Sequence, residues 1–186
     1  MIIRENQTLR DLFTGTKLPL SVFVFSLIVA YGYEAFSLNL TVDEEVFGST
    51  SNFTYSKAWI GEGRWMMALT SLLIPNSTIP AVPISVGVGL LAITLWLTLK
   101  NFTNLKAWQM SAVAAVSATF PAMAFTFSFS TISIGIGVGY LFAFLFIYFL
   151  NSRNLHGQFL AVLFGACSVG TYDAFAAVIV VLALFI

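Results

Sequence analysis

Charged residues are scarce in this chain: Lys, Arg, Asp and Glu make up only 9% of its 186 residues, while hydrophobic residues make up 59%. A soluble domain usually carries about 25% charged residues, so a chain this apolar could not cover a surface that faces water. The formal net charge is zero, and no basic field therefore points to nucleic acid. The composition predicts a membrane protein.

Cysteine and histidine are almost absent. Cys167 is the single cysteine and lies in an apolar run, so it cannot form an intrachain disulfide and is interpreted as a small buried hydrophobe. His156 is the single histidine, and it is interpreted as a surface residue rather than a metal ligand. Residues 1–17 are polar and mixed in charge, so we expect no cleavable signal peptide.

Five apolar stretches are candidates for membrane spans, since about 20 residues are needed to cross about 30 Å of hydrocarbon. They lie at residues 18–37, 81–99, 107–127, 131–150 and 158–186. The last stretch is interrupted by Thr171, Tyr172 and Asp173, and we expect one tilted or kinked helix there rather than a break into two helices. The apolar stretch at residues 66–74 is too short to span the membrane, so we expect an interfacial or re-entrant helix there. The sequence therefore predicts an all-α fold, a polytopic transmembrane helix bundle that forms one domain over residues 1–186.

Lysine and arginine predict the orientation of the chain. If the N-terminus is cytoplasmic, six of the eight fall inside and only Lys57 and Arg64 fall outside, which satisfies the positive-inside rule. Most acidic residues gather on the opposite side. Six of the eight lie on the predicted outer side. Five are at or beyond the outer end of the first span, namely Glu34, Asp43, Glu44, Glu45 and Glu62, and Asp173 is about 15 residues into the fifth stretch, which places it near the same face. We therefore expect the functional face on the outside.

The connection between the first two predicted spans, residues 38–80, is far longer than the others and is called the outer loop here. A loop of this length in a compact bundle is usually functional or disordered. Its aromatic residues argue against disorder and predict that it folds at the membrane surface. The spacing of Phe53, Trp59 and Ile60 suggests an amphipathic helix within it.

Three consecutive carboxylates, Asp43, Glu44 and Glu45, open the outer loop. Crowded carboxylates hold protons more tightly than isolated ones, so one of the three could act as a base near neutral pH. Their oxygens could equally hold a divalent cation. The alternative is an acidic loop end that is simply solvated.

Further polar residues are predicted on the same face. The planar guanidinium of Arg64 suits a phosphate, and Trp65 beside it could stack on a sugar or a prenyl chain, although the pair could also be an interfacial anchor. Glu34 and Asp173 each interrupt an apolar run, where ionisable groups usually face the protein interior or a water-filled cavity. Glu34 could also reach the lipid headgroups. Taken together, these residues favour a site on the outer face.

Several short motifs follow one another in a recognisable order. They are YGYE at 31–34, DEE at 43–45, WIGEGRW at 59–65, prolines at 75, 80 and 83, and GTYDAF at 170–175. In this order and over essentially its whole length, the chain resembles the N-terminal part of the Gtr-type glucosyltransferases. These are the membrane enzymes of phage-derived serotype-conversion cassettes that decorate bacterial O-antigen.

The resemblance implies a GT-C-like architecture, in which a membrane helix bundle faces a polyprenyl-phosphate sugar donor on the periplasmic side. It implies that Asp43, Glu44 and Glu45 are the catalytic candidates. Arg64 becomes a candidate for binding the donor phosphate, and Trp65 for packing on the donor.

We assign Lys57, Glu34, Tyr172 and Asp173 to donor binding as well. The family motif carries an amide where this chain has Asp173, so no catalytic role is assigned to that residue. The spacing of the acidic residues does not identify a metal site, and the lipid-linked sugar is the only small-molecule partner that we assign.

The resemblance also implies a multi-pass protein of the bacterial inner membrane that acts on the O-antigen of lipopolysaccharide. A flippase and a donor-making transferase would be further partners. Because family members are longer than this chain, we expect these residues to be the N-terminal part of a longer protein. A transporter or flippase component is less favoured, since the middles of the predicted spans are almost purely apolar. A non-catalytic remnant or assembly subunit is the other alternative.

Overall fold

The computed structural model of the protein describes residues 17–36, 52–73, 81–102, 105–120, 123, 130–152 and 154–184. Within these ranges the regular structure is entirely helical and contains no strand, which confirms the all-α prediction. The helices are α1 (Lys17–Phe36), α2 (Asn52–Gly61), α3 (Trp65–Leu73), α4 (Ala81–Phe102), α5 (Ala107–Ala118), α6 (Ser130–Leu150), α7 (Leu155–Val169) and α8 (Ala174–Leu184).

Two of these helices are long and apolar enough to cross a membrane. The qualifying segments are Val82–Asn101 in α4 and Ile132–Leu150 in α6. Ser21–Tyr33 in α1 and Leu155–Val169 are apolar but shorter. Length and composition of two helices are weak support for membrane association, and both helices coincide with predicted spans.

Helix α6 is the centre of the packing and contacts α3, α4, α7 and α8, while α1 packs against α4 and α5. Glycine makes the closest of these approaches possible. A Cβ added to Gly137 of α6 would lie 2.6 Å from the carbonyl oxygen of Gly87 in α4 and 2.9 Å from Leu90 Cβ. The Ser168 hydroxyl of α7 donates a 2.9 Å hydrogen bond to the Gly139 carbonyl of α6. Small residues thus bring three apolar helices together, as is usual in membrane proteins.

The stretch 158–186, expected as one tilted or kinked helix, divides into two helices instead. Helix α7 ends at Val169 and α8 begins at Ala174. The carbonyl group of Gly170 bonds to the backbone of α3 and not to a residue further along its own helix. The Thr171 hydroxyl donates to the Ser168 carbonyl at 2.6 Å, so side-chain and tertiary partners satisfy groups that the break would otherwise leave unbonded.

Helix α5 is shorter than the span expected over residues 107–127. It ends at Ala118, and Thr119 and Phe120 have left the helix. Proline follows at position 121, and a residue before proline is disfavoured in the helical conformation. Twelve residues rise about 18 Å, which is less than the hydrocarbon thickness. Residues 121–122 and 124–129 lie outside the described residues.

The described part of the outer loop contains two helices, α2 and α3. The predicted helix at 66–74 corresponds to α3, Trp65–Leu73. Its Met67 packs against Gly135 of α6 so closely that a Cβ on that glycine would meet the Met67 sulfur. Gly135 comes five residues after the first residue of α6, about 7.5 Å along the helix axis. Helix α3 therefore lies beside the first turns of α6 and not beyond its end.

Candidate functional site

Two breaks in helical structure meet at one place, which we call the Arg64 junction. One is the turn between α2 and α3, and the other is the break between α7 and α8. The junction is defined by Trp59, Glu62, Arg64, Trp65, Gly170, Tyr172 and Asp173.

The turn between α2 and α3 folds Arg64 back over the end of α2. Gly63 adopts a φ of 80°, in the left-handed region that glycine enters without steric cost. This conformation allows the Arg64 amide to donate a 2.8 Å hydrogen bond to the Trp59 carbonyl. As a result, the Arg64 guanidinium carbon lies 5.4 Å from the centroid of the Trp59 ring.

The start of α3 is joined to the end of α7 through one carbonyl group. The Gly170 carbonyl accepts hydrogen bonds from the amides of Met66, at 2.8 Å, and Met67, at 3.4 Å. The first amides of a helix have no hydrogen-bond acceptor within that helix. The Gly170 carbonyl is the acceptor for two of these amides in α3. The positive end of α3 also faces the negative end of α7, which is a favourable arrangement of helix dipoles. A Cβ at position 170 would lie 2.5 Å from the Trp65 indole, so this joint requires glycine.

The Arg64 guanidinium lies close to two aromatic rings. Besides the Trp59 contact, its guanidinium carbon lies 4.3 Å from the centroid of the Tyr172 ring. Contacts of this kind stabilise a cation by about 0.5–2 kcal/mol each, depending on solvent exposure. The Arg64 side chain is only 21% exposed. Its Nε atom is buried and has no hydrogen-bond acceptor within the described ranges.

Two carboxylates flank this cation at different distances. Glu62 Oε2 lies 2.8 Å from Arg64 Nη1, and its side chain is 53% exposed. Asp173 Oδ1 lies 4.0 Å from Arg64 Nε, and its side chain is 76% exposed. Glu62 thus forms a direct ion pair, while Asp173 stops short of a hydrogen bond. The junction places a rigid cation, two exposed acids and aromatic rings at one point.

The structure brings some of the predicted site residues together and leaves others outside its description. Arg64, Tyr172 and Asp173 are in contact at the junction, and Trp65 forms its joint with Gly170 and is 46% exposed. Lys57 is exposed on α2. The remaining predictions cannot be placed: Glu34 belongs to α1, but its side chain is outside the described residues, as are Asp43, Glu44 and Glu45.

Three junction residues were not predicted as site residues: Trp59, Glu62 and Gly170. Trp59 and Glu62 lie in the same short motif as Arg64, but their contacts depend on the reversal of the chain at Gly63. Gly170 acts through its carbonyl group and its lack of a side chain. Its sequence signals were its place at the start of the GTYDAF motif and its position within a long apolar run.

No group of three or more metal-ligating side chains occurs in the part of the chain that the structure describes. Glu62 and Asp173 are accompanied there by an arginine, and a cation between them would face its positive charge.

In the described residues the protein is all-helical, with two helices of membrane length and an arginine-centred junction where a loop meets a broken helix. The family model described as glucosyl transferase GtrII matches residues 32–186, which include the whole Arg64 junction. The chain belongs to this glucosyl transferase family, which confirms the resemblance found in the motifs. Neither the curated proteins nor the solved structures contain a match to this chain.

Proposed function

We propose that this chain is the N-terminal part of a membrane glucosyltransferase that moves glucose from a polyprenyl-phosphate donor to a periplasmic glycan such as O-antigen. Membership of the glucosyl transferase family, over residues 32–186, is the observation that carries this proposal. The donor, the acceptor and the membrane topology are inferred from the residues of the junction and the outer loop.

Arg64 is the group that we assign to the donor phosphate. Its guanidinium lies close to the rings of Trp59 and Tyr172, so little side-chain freedom remains to be lost when an anion binds. Transfer releases a phosphate group, and a fixed cation stabilises the negative charge that develops on it. Trp65, half-exposed beside the joint, offers a surface for the sugar or the prenyl chain.

The acceptor needs a base, which we assign to Asp43, Glu44 or Glu45. The acceptor hydroxyl oxygen bonds to the anomeric carbon of glucose, and the bond between that carbon and the phosphate oxygen breaks. The hydroxyl proton passes to the carboxylate, and the electron pair leaves with the polyprenyl phosphate. A carboxylate is a suitable base if its proton affinity is raised by neighbouring acids.

If α6 spans the bilayer, its contacts indicate the depth of the junction. Met67 of α3 packs on Gly135, about 7.5 Å along α6 from its first residue. Thr171, next to Gly170, lies against Gly139, about 13.5 Å along it. The junction would then lie below headgroup level, in the half of the bilayer nearer the start of α6. This favours a re-entrant outer loop over one that rests on the surface. The distribution of Lys and Arg supports a cytoplasmic N-terminus, which would place the junction on the periplasmic side of the inner membrane.

Transfer of labelled glucose tests the proposal. The full protein from its native membrane would be placed in lipid nanodiscs with polyprenyl-phosphate glucose and purified lipopolysaccharide. We expect the double variant Glu44→Gln/Glu45→Gln to lose at least about 100-fold in transfer, since general base catalysis contributes about 10²–10⁴-fold. Glu5→Gln, in the predicted cytoplasmic segment, is the matched control and should transfer normally. Transfer at the normal rate by the double variant would refute the assigned base, and absence of glucose transfer by the unmodified protein would refute the function.

A further inference from the structure

The Arg64 cation is already paired before any ligand binds. Glu62 contacts it directly at 2.8 Å, and Asp173 lies 4.0 Å away. One arginine and two carboxylates carry a formal charge of −1 in total. A phosphate that approaches this junction therefore meets a cation whose charge is already compensated, and it competes with Glu62 for the Nη1 position.

Glu62 is better placed to be displaced than Arg64. The Arg64 side chain is 21% exposed and its guanidinium lies close to two aromatic rings, whereas the Glu62 side chain is 53% exposed to solvent. A carboxylate that swings into water keeps its solvation, so breaking this pair leaves no buried charge. An arriving anion can therefore take the Nη1 position while Arg64 stays in place.

Asp173 differs from Glu62 in how it is attached. Glu62 is two residues before Arg64 in the same turn, whose shape Gly63 fixes with its φ of 80°, so the chain itself keeps the two charges together. Asp173 belongs to the other segment and is not within hydrogen-bond distance of Arg64. The two acids thus differ in distance: Glu62 pairs directly with Arg64, and Asp173 lies further from it.

We infer that Glu62 is an internal competitor for the phosphate at Arg64, and that it thereby determines how tightly the junction holds a lipid phosphate. The inference rests on the proposed function, because it assumes that Arg64 is the phosphate ligand. Exchange of one anion for another explains how the site can be charged enough to select a phosphate and still release it. Glu62 is on this account a specificity-determining residue that also aids departure of the polyprenyl phosphate product.

Binding of farnesyl phosphate, a short prenyl monophosphate, tests the inference. The protein would be placed in nanodiscs of phosphatidylcholine, which has no net charge, and titrated calorimetrically at low ionic strength, with farnesol as the probe for binding of the chain alone. We expect Glu62→Gln to tighten binding by about two- to fivefold, the range that corresponds to an exposed ion pair. Glu62→Asp should tighten it less, because the charge stays while the direct contact is lost. Asp173→Asn should tighten it less than Glu62→Gln does, because the Asp173 carboxylate lies 4.0 Å from Arg64 Nε and makes no hydrogen bond to it.

The outcomes separate this inference from the proposed function. If Arg64→Gln abolishes binding and Glu62→Gln leaves it unchanged, the competitor role is refuted and the phosphate role of Arg64 stands. Equal tightening by Glu62→Gln and Asp173→Asn would also refute the inference, since net charge alone would explain it. If Arg64→Gln binds like the unmodified protein, or farnesol binds as tightly as its phosphate, both the assignment of Arg64 and the inference fail.

Discussion

The contact between α4 and α6 and the Arg64 junction both depend on glycine, but they use it differently. At Gly137 the missing side chain lets two apolar helices approach so closely that an added Cβ would lie 2.6 Å from the Gly87 carbonyl oxygen. At Gly170 the missing side chain admits the Trp65 ring and leaves a carbonyl group free to bond to the start of another helix. The first contact is apolar packing, and the second holds a charged side chain in position. Scaffold and site are therefore separable, and a substitution at each should affect different properties.

Gly137→Ala should have the largest effect on stability. The added methyl would lie 2.6 Å from a backbone oxygen, and overpacking of this kind typically costs about 1–3 kcal/mol. Unfolding in mixed micelles of a mild detergent and sodium dodecyl sulfate, followed by circular dichroism, would measure the loss. Gly89→Ala in α4 is the matched control, because its methyl would have no atom within 4 Å. Equal stability of the two variants would contradict the close approach of α4 and α6.

The two apolar helices, α4 and α6, are predicted well from the sequence. The expected spans 81–99 and 131–150 differ from α4 and α6 by only a few residues at their ends, because long apolar runs without charge have few other stable conformations in lipid. The end of α5 at Ala118 could also have been predicted from the sequence, because Pro121 follows it and proline stops a helix.

The junction was less predictable because its partners are distant in the chain. Gly170 breaks the predicted fifth span, yet the amides that bond to its carbonyl belong to Met66 and Met67, about one hundred residues earlier. No local pattern contains that contact. Arg64 and Tyr172 were assigned to donor binding by resemblance, but the pairing of Arg64 with Glu62 required the turn geometry at Gly63.

Gly170→Ala should disturb the site more than the scaffold. The new methyl would meet the Trp65 indole at 2.5 Å, and moving the ring would shift Arg64 away from Tyr172. We expect affinity for farnesyl phosphate to fall about tenfold, equivalent to about 1.4 kcal/mol, with a change in tryptophan fluorescence. Gly61→Ala is the control, since nothing lies within 4 Å of its added methyl.

A double variant tests the cause of this effect. In Gly170→Ala/Trp65→Ala the clash is removed, so the position of Arg64 should partly recover relative to Gly170→Ala alone. Trp65→Ala alone is the reference, because Trp65 is itself assigned to the prenyl chain. If Gly170→Ala lowers farnesyl phosphate affinity as much in the Trp65→Ala background as in the unmodified protein, the Trp65 contact does not position Arg64. The hydrogen bonds from Met66 and Met67 to the Gly170 carbonyl would then be the remaining contact that holds α3, and with it Arg64, in position.

Ser168→Ala should have the smallest effect, and it tests the link between the two regions. The Ser168 hydroxyl joins α7 to α6 through the Gly139 carbonyl, at 2.9 Å, only two residues before Gly170. Interhelical side-chain hydrogen bonds in membrane proteins contribute about 0.6 kcal/mol on average, so a loss of that order is expected in the same unfolding measurement. Ser26→Ala is the control, because the Ser26 hydroxyl bonds at 2.8 Å to the Val22 carbonyl of its own helix. If Ser168→Ala lowers farnesyl phosphate affinity as strongly as Gly170→Ala does, the packing of α7 on α6 controls the junction, and scaffold and site are not separable.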